Sequence, residues 1–286
     1  MLMELIAHRH IEKDLDWEAS LINDIMYVPL AGASENFNFR SPDSYVFIFF
    51  EKCKGWHSID FVEYEEKDNQ VHISFPGQIH SWKTEENAKG HKLILSKKFV
   101  ETKLSDMSFS ALYLNSSPVI DLPKDFAERI FAELKWIEKD FADEYVPPKI
   151  LSFRIQLVLS LVNAHIEALE ETSLINEKKH PIISKFLELI ETDFTGSKSV
   201  SFYANKIAVT SNYLNILSKK ELGVTAKVII NRKVILEAKR LLLGSDLTIK
   251  EIAFNLGFRS IAAFSSFMYN RTGMYPKGLR KEDVYH

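Results

Sequence analysis

Asn212 and Asn215 stand three residues apart and are followed by Lys219 and Lys220, with Ser211 just ahead of them. On a helix, residues three and four apart share a face. A carboxamide accepts and donates side by side, which matches the major-groove edge of adenine, and an ammonium group suits a phosphate. This combination points to nucleic-acid readout. Further along, a second set comprises Arg259, Ser260, Ile261, Ala262, Ser265 and Ser266. Ile261 and Ala262 cannot hydrogen-bond a base edge but can touch a thymine methyl. A solvated polar face is the plain alternative for Asn212 and Asn215.

Such residues need a frame that presents them to a groove. Thr248 to Arg280, TIKEIAFNLGFRSIAAFSSFMYNRTGMYPKGLR, contains one. Ile249, Ile252, Ala253 and Leu256 share one face of a short helix. Gly257-Phe258 makes a turn requiring positive φ, and Phe264, Phe267 and Met268 turn inward from the next helix. Small Ala253 lets the two helices approach. These features spell a helix-turn-helix, although an ordinary helical hairpin carries many of the same marks. The pattern recurs upstream, from Val200 to Gly223 (VSFYANKIAVTSNYLNILSKKELG). There Ala204 takes the place of Ala253, Ile207-Ala208-Val209 that of Leu256-Gly257-Phe258, and Leu214 and Leu217 anchor the second helix. Its turn is one residue shorter. Between the copies, Val228 to Leu243 predicts a long helix stopped by Gly244. The recognition helices are expected to begin near Thr210 and Ser260, with Ile216 or Leu222 facing in or flanking. A rigid connecting helix predicts a spacing of about 34 Å between them, one DNA turn.

From about Pro181 to Arg280, roughly the last third, the chain resembles the DNA-binding domain of the AraC/XylS family of transcription regulators. The resemblance rests on Ala204, Leu214, Gly223, Leu236-Glu237-Ala238, Leu241-Leu242, Ile252-Ala253, Gly257-Phe258, Phe264, Gly273, Pro276 and Arg280. It implies double-stranded operator or promoter DNA as partner, contact with RNA polymerase, and a homodimer. One departure is plain: where the family usually has Phe-Lys-Lys late in the second recognition helix, this chain has Met268-Tyr269-Asn270. Two phosphate contacts are thereby lost.

The whole chain has 286 residues, enough for two domains. Its net charge of −3 is unevenly spread: from Pro181 onward 16 basic residues meet 9 acidic ones, and the remainder has 20 against 30. A basic C-terminal half fits a DNA-binding role. The lone Cys53 excludes an intrachain disulfide and a cysteine-rich zinc site. The start, MLMELIAHRH, lacks a signal-peptide pattern, and no apolar run approaches the roughly 18 residues that span a bilayer. A cytoplasmic location without membrane contact is the expectation.

Residues 1–120 predict an antiparallel β-barrel or jelly roll from short strands at 45–51, 56–64, 71–75, 92–95 and 109–114. Phe75 to Trp82, FPGQIHSW, resembles the second motif of cupin barrels, where a Pro-x-Gly-like turn precedes a histidine. AraC-type regulators often carry such a barrel as an effector module. Arg40, Tyr45, Trp56, His80 and Trp82 mix aromatic faces with polar tips and form the candidate small-molecule site, the alternative being that they fill the core. The His-x-His pair of metal cupins is missing, and His57, His72, His80 and His91 are scattered singly. They read as residues of turns and strand edges, with no metal and no cofactor expected.

Residues 121–172 turn helical. Phe126, Ile130, Phe131, Leu134 and Ile137 recur at helical spacing, as do Leu151, Ile155, Val158, Leu159, Val162 and Ile166 after Pro147-Pro148. Phe153, Leu157 and Leu161 widen the second stripe, which favours a dimer contact. A polar linker is expected over 173–180 and the DNA-binding domain over 181–286. The expected class is thus α+β, a cupin-like antiparallel barrel with a helical segment, then an all-α domain of two helix-turn-helix units joined by a long helix. The function expected is a sequence-specific, non-enzymatic transcription regulator answering to a small effector. An effector-independent dimeric regulator and a cupin-type metal enzyme are the competitors.

Overall fold

A computed structural model describes residues 20–22, 24–104, 117–143, 145–174 and 180–282. The chain separates into two compact units, Met1–Thr172 and Ser173–His286.

Among its described residues the first unit holds ten strands in two antiparallel sheets: β1 (Ser20–Ile22), β2 (Ile25–Ala31), β3 (Ser34–Arg40), β4 (Ser44–Lys52), β5 (Gly55–Ile59), β6 (Val62–Glu66), β7 (Gln70–Ser74), β8 (Ile79–Thr84), β9 (Lys89–Ser96) and β10 (Val119–Asp121). Six strands run β1-β2-β9-β4-β7-β10 and four run β3-β8-β5-β6. The sheets do not join into one closed barrel, so the architecture is a cupin-like sandwich rather than a cylinder. The stretch expected as one strand over 56–64 is a hairpin. Asp60 and Phe61 both take positive φ, at 51° and 68°, as a two-residue hairpin turn demands. Asp-Phe is not a recognisable sequence for that turn, which is why the break was hidden. The strand expected at 109–114 lies outside the described residues.

β4 explains the layering. Its register places Phe47 opposite Leu93 and Ile73, and Ile48 opposite Lys92 and His72. Strand alternation then gives the six-stranded sheet two different faces. One, with Tyr45, Phe47, Phe49, Val71, Leu93 and Leu95, packs against α1 (Lys97–Lys103), α2 (Lys124–Ala142) and α3 (Pro148–Leu174). The other, with Leu30, Val46, Ile48 and Phe50, forms a second apolar cluster with Cys53 and Ala88. Over Pro148–Leu169, helix α3 is long and apolar enough to cross a membrane, by length and composition only. Leu151, Ile155, Val158, Leu159, Val162 and Ile166 are nonetheless buried in the core of this unit. The helix also runs past the expected boundary: Ser173 and Leu174 of the anticipated linker are helical, and 175–179 lie outside the described residues.

Among its described residues the second unit has helices alone: α4 (Pro181–Asp193), α5 (Val200–Lys206), α6 (Ser211–Leu222), α7 (Ala226–Leu243), α8 (Ile249–Asn255), α9 (Ile261–Thr272) and α10 (Pro276–Glu282). Two separate cores organise it. Phe186, Ile190, Tyr203, Ala204, Leu214, Ala226 and Ile230 make one. Ala238, Leu242, Ile252, Ala253, Leu256, Phe264 and Met268 make the other. Helix α7 contributes to both, through its first and its last turns.

Candidate nucleic-acid interface

Four side-chain caps start the helices that matter. Ser199, Thr210, Thr248 and Ser260 each accept a hydrogen bond from the backbone N–H three residues on, satisfying donors that a helix start leaves open. Thr248 and Glu251 complete a capping box. At the other end of the short helices, two turns repeat bond for bond. The N–H of Val209 donates to the carbonyl of Ala204 and that of Ala208 to Asn205; Phe258 donates to Ala253 and Gly257 to Phe254. Ala208 and Gly257 both take positive φ, at 59° and 72°. This is the reciprocal C-terminal cap that turns a chain sharply out of a helix. The recognition helices α6 and α9 then end alike, on left-handed Gly223 and Gly273. Both units are helix-turn-helix units.

The first recognition helix buries Leu214, Leu217 and Ser218. It exposes Asn212, Tyr213, Ile216, Lys219 and Lys220. Ile216, expected to face in or flank, is 59% exposed, because the helix is anchored by Leu214 and Leu217 and Ile216 falls between them on the far side. Ser211 is half-buried. Asn215 is half-buried too: its amide nitrogen donates to the Ser211 carbonyl at 3.1 Å, and its Oδ1 is buried without a protein partner. Of the two carboxamides, that of Asn212 is the exposed one. Tyr213 and Ile216 were missed as candidates. The signal available was position: Ile216 is four residues after Asn212 and Tyr213 is three before Ile216, spacings that share a helix face.

The second recognition helix buries Phe264 and Met268 and exposes Ile261, Ala262, Ala263, Ser266, Tyr269 and Asn270. Arg259 and Ser260 are exposed just before it, while Ser265 is half-buried. The Ser260 hydroxyl is engaged as the cap, accepting from Ala263 N–H at 3.1 Å. Tyr269 stacks on Tyr275, ring centroids 4.5 Å apart. Arg280 is structural. Its guanidinium donates to the carbonyls of Leu242 at 3.2 Å and Leu247 at 2.6 Å, tying α10 to the end of α7.

The candidate small-molecule residues of the first unit do not come together. Tyr45 lies on the helix-facing side of its sheet, against Phe75. Arg40 donates to the Gly77 carbonyl at 3.0 Å. Trp56 lies one position before buried His57 and so on the opposite face of β5, lining an open groove of about 610 Å³ with Lys83, Glu85 and Asn87. Only His80 and Trp82 share an environment, ring centroids 5.4 Å apart, in the sandwich interior.

That interior overturns the reading of the histidines as isolated turn and edge residues. His57, His72, His80 and His91 all lie in strands and are buried. Three of them form a chain, with 2.9 Å between His57 Nδ1 and His72 Nδ1, and 3.2 Å between His57 Nε2 and His80 Nδ1. Its proton order follows from Gln70, whose Oε1 accepts from Lys67 N–H at 2.9 Å and whose amide nitrogen donates to Asp121. His72 Nε2–H must donate to that same Oε1, at 3.1 Å. His72 Nδ1 then accepts from His57, and His57 Nε2 accepts from His80. The chain ends on His80 Nε2, a bare buried acceptor without a protein partner. Burial lowers all three, His72 and His80 to about 3. Lys92 sits beside them with its ammonium 3.9 Å from the Trp82 ring centroid, lowered by burial to about 8. Burial pushes Glu66 up to about 7, although Cys53, whose thiol donates to it at 3.1 Å, and Lys92 pull it down. The histidines meet each other rather than converge on one point, and no group fit to hold a metal occurs among the described residues.

Residues 203–282 match the family model described as a helix-turn-helix domain. No curated protein matches the chain. Among solved structures, the chain is similar to the C-terminal domain of AraT, a response regulator from Geobacillus stearothermophilus, at 25% identity over 37% of this chain and 88% of that one, with a TM-score of 0.35. It is similar to the C-terminal domain of the two-component response regulator YesN from Fusobacterium nucleatum, at 28% identity over 34% and 94%, TM-score 0.32. Over 90% of its length it is similar to 97% of ToxT from Vibrio cholerae, at 14% identity and TM-score 0.44.

Proposed function

We propose, from the premise that the C-terminal unit is an AraC-type helix-turn-helix domain and the chain a DNA-binding transcription regulator, that both of its units read base pairs and divide the work unequally. Asn212 makes the base-edge contact, Tyr213 and Ile216 pack beside it, and Lys219 and Lys220 hold phosphates. Ile261, Ala262 and Ser266 meet bases from the second unit, with Arg259 on the backbone. One observation carries this reading: α6 and α9 start from the same cap, turn and anchor pattern and offer their side chains from the same helical positions. The test is footprinting of the full chain on a duplex selected from a random pool. Two protected major-groove segments about one helical turn apart are expected, and a duplex without protection overturns the reading.

The N-terminal unit, Met1–Thr172, supplies regulation in this proposal. Support comes from the buried polar chain, whose terminal His80 Nε2 lacks a protein partner, next to the face of Trp82 and the Lys92 ammonium. A small molecule offering a hydroxyl to His80 and an acceptor to Lys92 fits that chemistry. Thermal-shift measurements against hydroxylated small acids should give a stabilisation that His80→Leu removes; equal shifts in both proteins contradict it.

Dimerisation is assigned to α3, where Ile150, Phe153 and Leu157 recur on one exposed stripe and Trp136 of α2 is exposed nearby, 5.3 Å from Arg154. Phe153→Glu should convert a dimer to a monomer in sedimentation, and a wild-type monomer at micromolar concentration rules this out.

A further inference from the structure

The two helix-turn-helix units are joined by α7, and the segment 194–199 between α4 and α5 joins them a second time. It belongs to the first unit by its neighbours. The Ser197 carbonyl accepts from the Tyr203 hydroxyl at 2.9 Å, the Lys198 carbonyl accepts from Lys227 Nζ at 2.7 Å, and Ser199 caps α5. Yet its other contacts belong to the second unit. Phe194 packs against the second core, with Ile235, Leu241 and Phe258 among its companions there. Lys198 Nζ donates to the Leu256 carbonyl at 2.6 Å and lies 4.4 Å from the Phe258 ring centroid. Leu256 caps α8, so the ammonium meets a helix-end carbonyl, while Phe258 packs on Phe264 and Phe267 of the recognition helix. Gly257 touches the same segment so closely that an added Cβ would stand 1.9 Å from the Thr195 carbonyl oxygen.

We infer that segment 194–199 is a strut, with Lys198 as the positioning residue that sets the second recognition helix relative to the first, and thereby the base-pair spacing the protein accepts between its two subsites. A lone connecting helix leaves one hinge at each end. A cation on the turn, a backbone oxygen wedged against Gly257 and a ring in the second core remove that freedom. The turn they clamp is the one from which α9 departs, so its direction is carried straight into the groove. Nothing in this role requires Lys198 to touch DNA.

This inference rests on both units reading DNA, and footprinting separates the two ideas. A single protected segment defeats the two-unit reading itself. With two segments established, duplexes carrying zero, one or two extra base pairs between them are titrated with the full chain. Each insertion moves the second subsite by about 3.4 Å and rotates it by about a tenth of a turn. The wild type should lose roughly tenfold or more in affinity per inserted pair, a change of about 1.4 kcal/mol. Lys198→Met should weaken binding to the parent duplex and cut the insertion penalty to about threefold or less, and Lys198→Arg should restore the penalty. A residue that matters only for stability would lower affinity for every duplex by the same factor, so an unchanged ratio in folded Lys198→Met overturns the strut. So does a wild type indifferent to insertion, a result that needs no variant to fold.

Discussion

The two helix-turn-helix units share a backbone and differ in what they show. From the recognition helices onward, positions fifty apart correspond, as Gly223 and Gly273 illustrate. At the exposed positions Asn212 faces Ala262 across the repeat, Tyr213 faces Ala263, Ile216 faces Ser266, Lys219 faces Tyr269 and Lys220 faces Asn270. The first unit offers a carboxamide, large contact surface and two cations. The second offers methyl groups, a hydroxyl and an aromatic pair. The turns differ for another reason. Ala208 tolerates φ 59° in an exposed place, whereas Gly257 is required twice over, by its φ and by the Thr195 oxygen against it. A repeated frame therefore fixes where side chains point, and neighbours outside the repeat decide which residue a position can hold.

Acid should set both helix-turn-helix units together apart from the N-terminal unit, Met1–Thr172, with the largest effect of all. Unfolded histidine takes up a proton near pH 6.5, whereas buried His72 and His80 hold out to about 3. Below pH 6.5 the unfolded chain binds more protons than the folded one, so each histidine removes about 1.4 kcal/mol of stability per pH unit until the folded group also protonates. The C-terminal unit, Ser173–His286, holds no buried histidine among its described residues. Calorimetry at pH 5 should resolve an early transition of the N-terminal unit from a later one of the C-terminal unit. Transitions that stay together and unmoved between pH 7 and 5 contradict this.

Gly257→Val should destabilise the second unit by about 3 kcal/mol or more, combining backbone strain with the clash at Thr195, and abolish specific binding in a gel-shift assay. Ala253→Leu should do the same at about 1–3 kcal/mol, since Ala253 is fully buried between the helices. Normal operator binding by both variants breaks the assignment of the second unit.

Asn212→Ala should relax specificity at one base pair by about 1–3 kcal/mol, and Ile261→Ala should weaken binding mildly at a thymine. Binding-site selection with each variant reads this directly. An unchanged motif for Asn212→Ala, with a scrambled one for Ile261→Ala, reverses the ranking of the units.

The missing cations give a finer test. Lys219→Ala should reduce the slope of log affinity against log salt by about 0.9, and Asn270→Lys should increase it by the same amount, both without changing the selected sequence. Equal slopes in all three proteins place Lys219 off the phosphate path. The smallest effect belongs to Ala208→Gly, which should leave DNA binding intact and, by relieving an alanine held at positive φ, change the melting free energy by less than about 1 kcal/mol.

Much of this was legible in the residues. The helix-turn-helix units follow from short-range rules: cap residues, an apolar period of three and four, a small residue at the close approach and glycine after the last turn. Ile216 was misjudged because a period of 3.6 leaves flanking positions undecided until both anchors are known. The split of Arg40, Tyr45, Trp56, His80 and Trp82 onto different faces was hidden, since strand alternation is known only once register is known. The histidine chain was invisible for the same reason, its members coming from β5, β7 and β8.

Sequence alone determined the class of the fold, the two repeated helix-turn-helix frames, where their recognition helices begin, and the helical segment after the strands. Each depends on interactions between residues a few positions apart, whose geometry a local pattern dictates. Tertiary structure decided which side chains share an interior, why Gly257 cannot be replaced, and that Lys198 reaches from one unit to the turn of the other. Those depend on pairings between strands and on packing across dozens of residues, where a displacement of a single position along a strand moves a side chain from one face to the other.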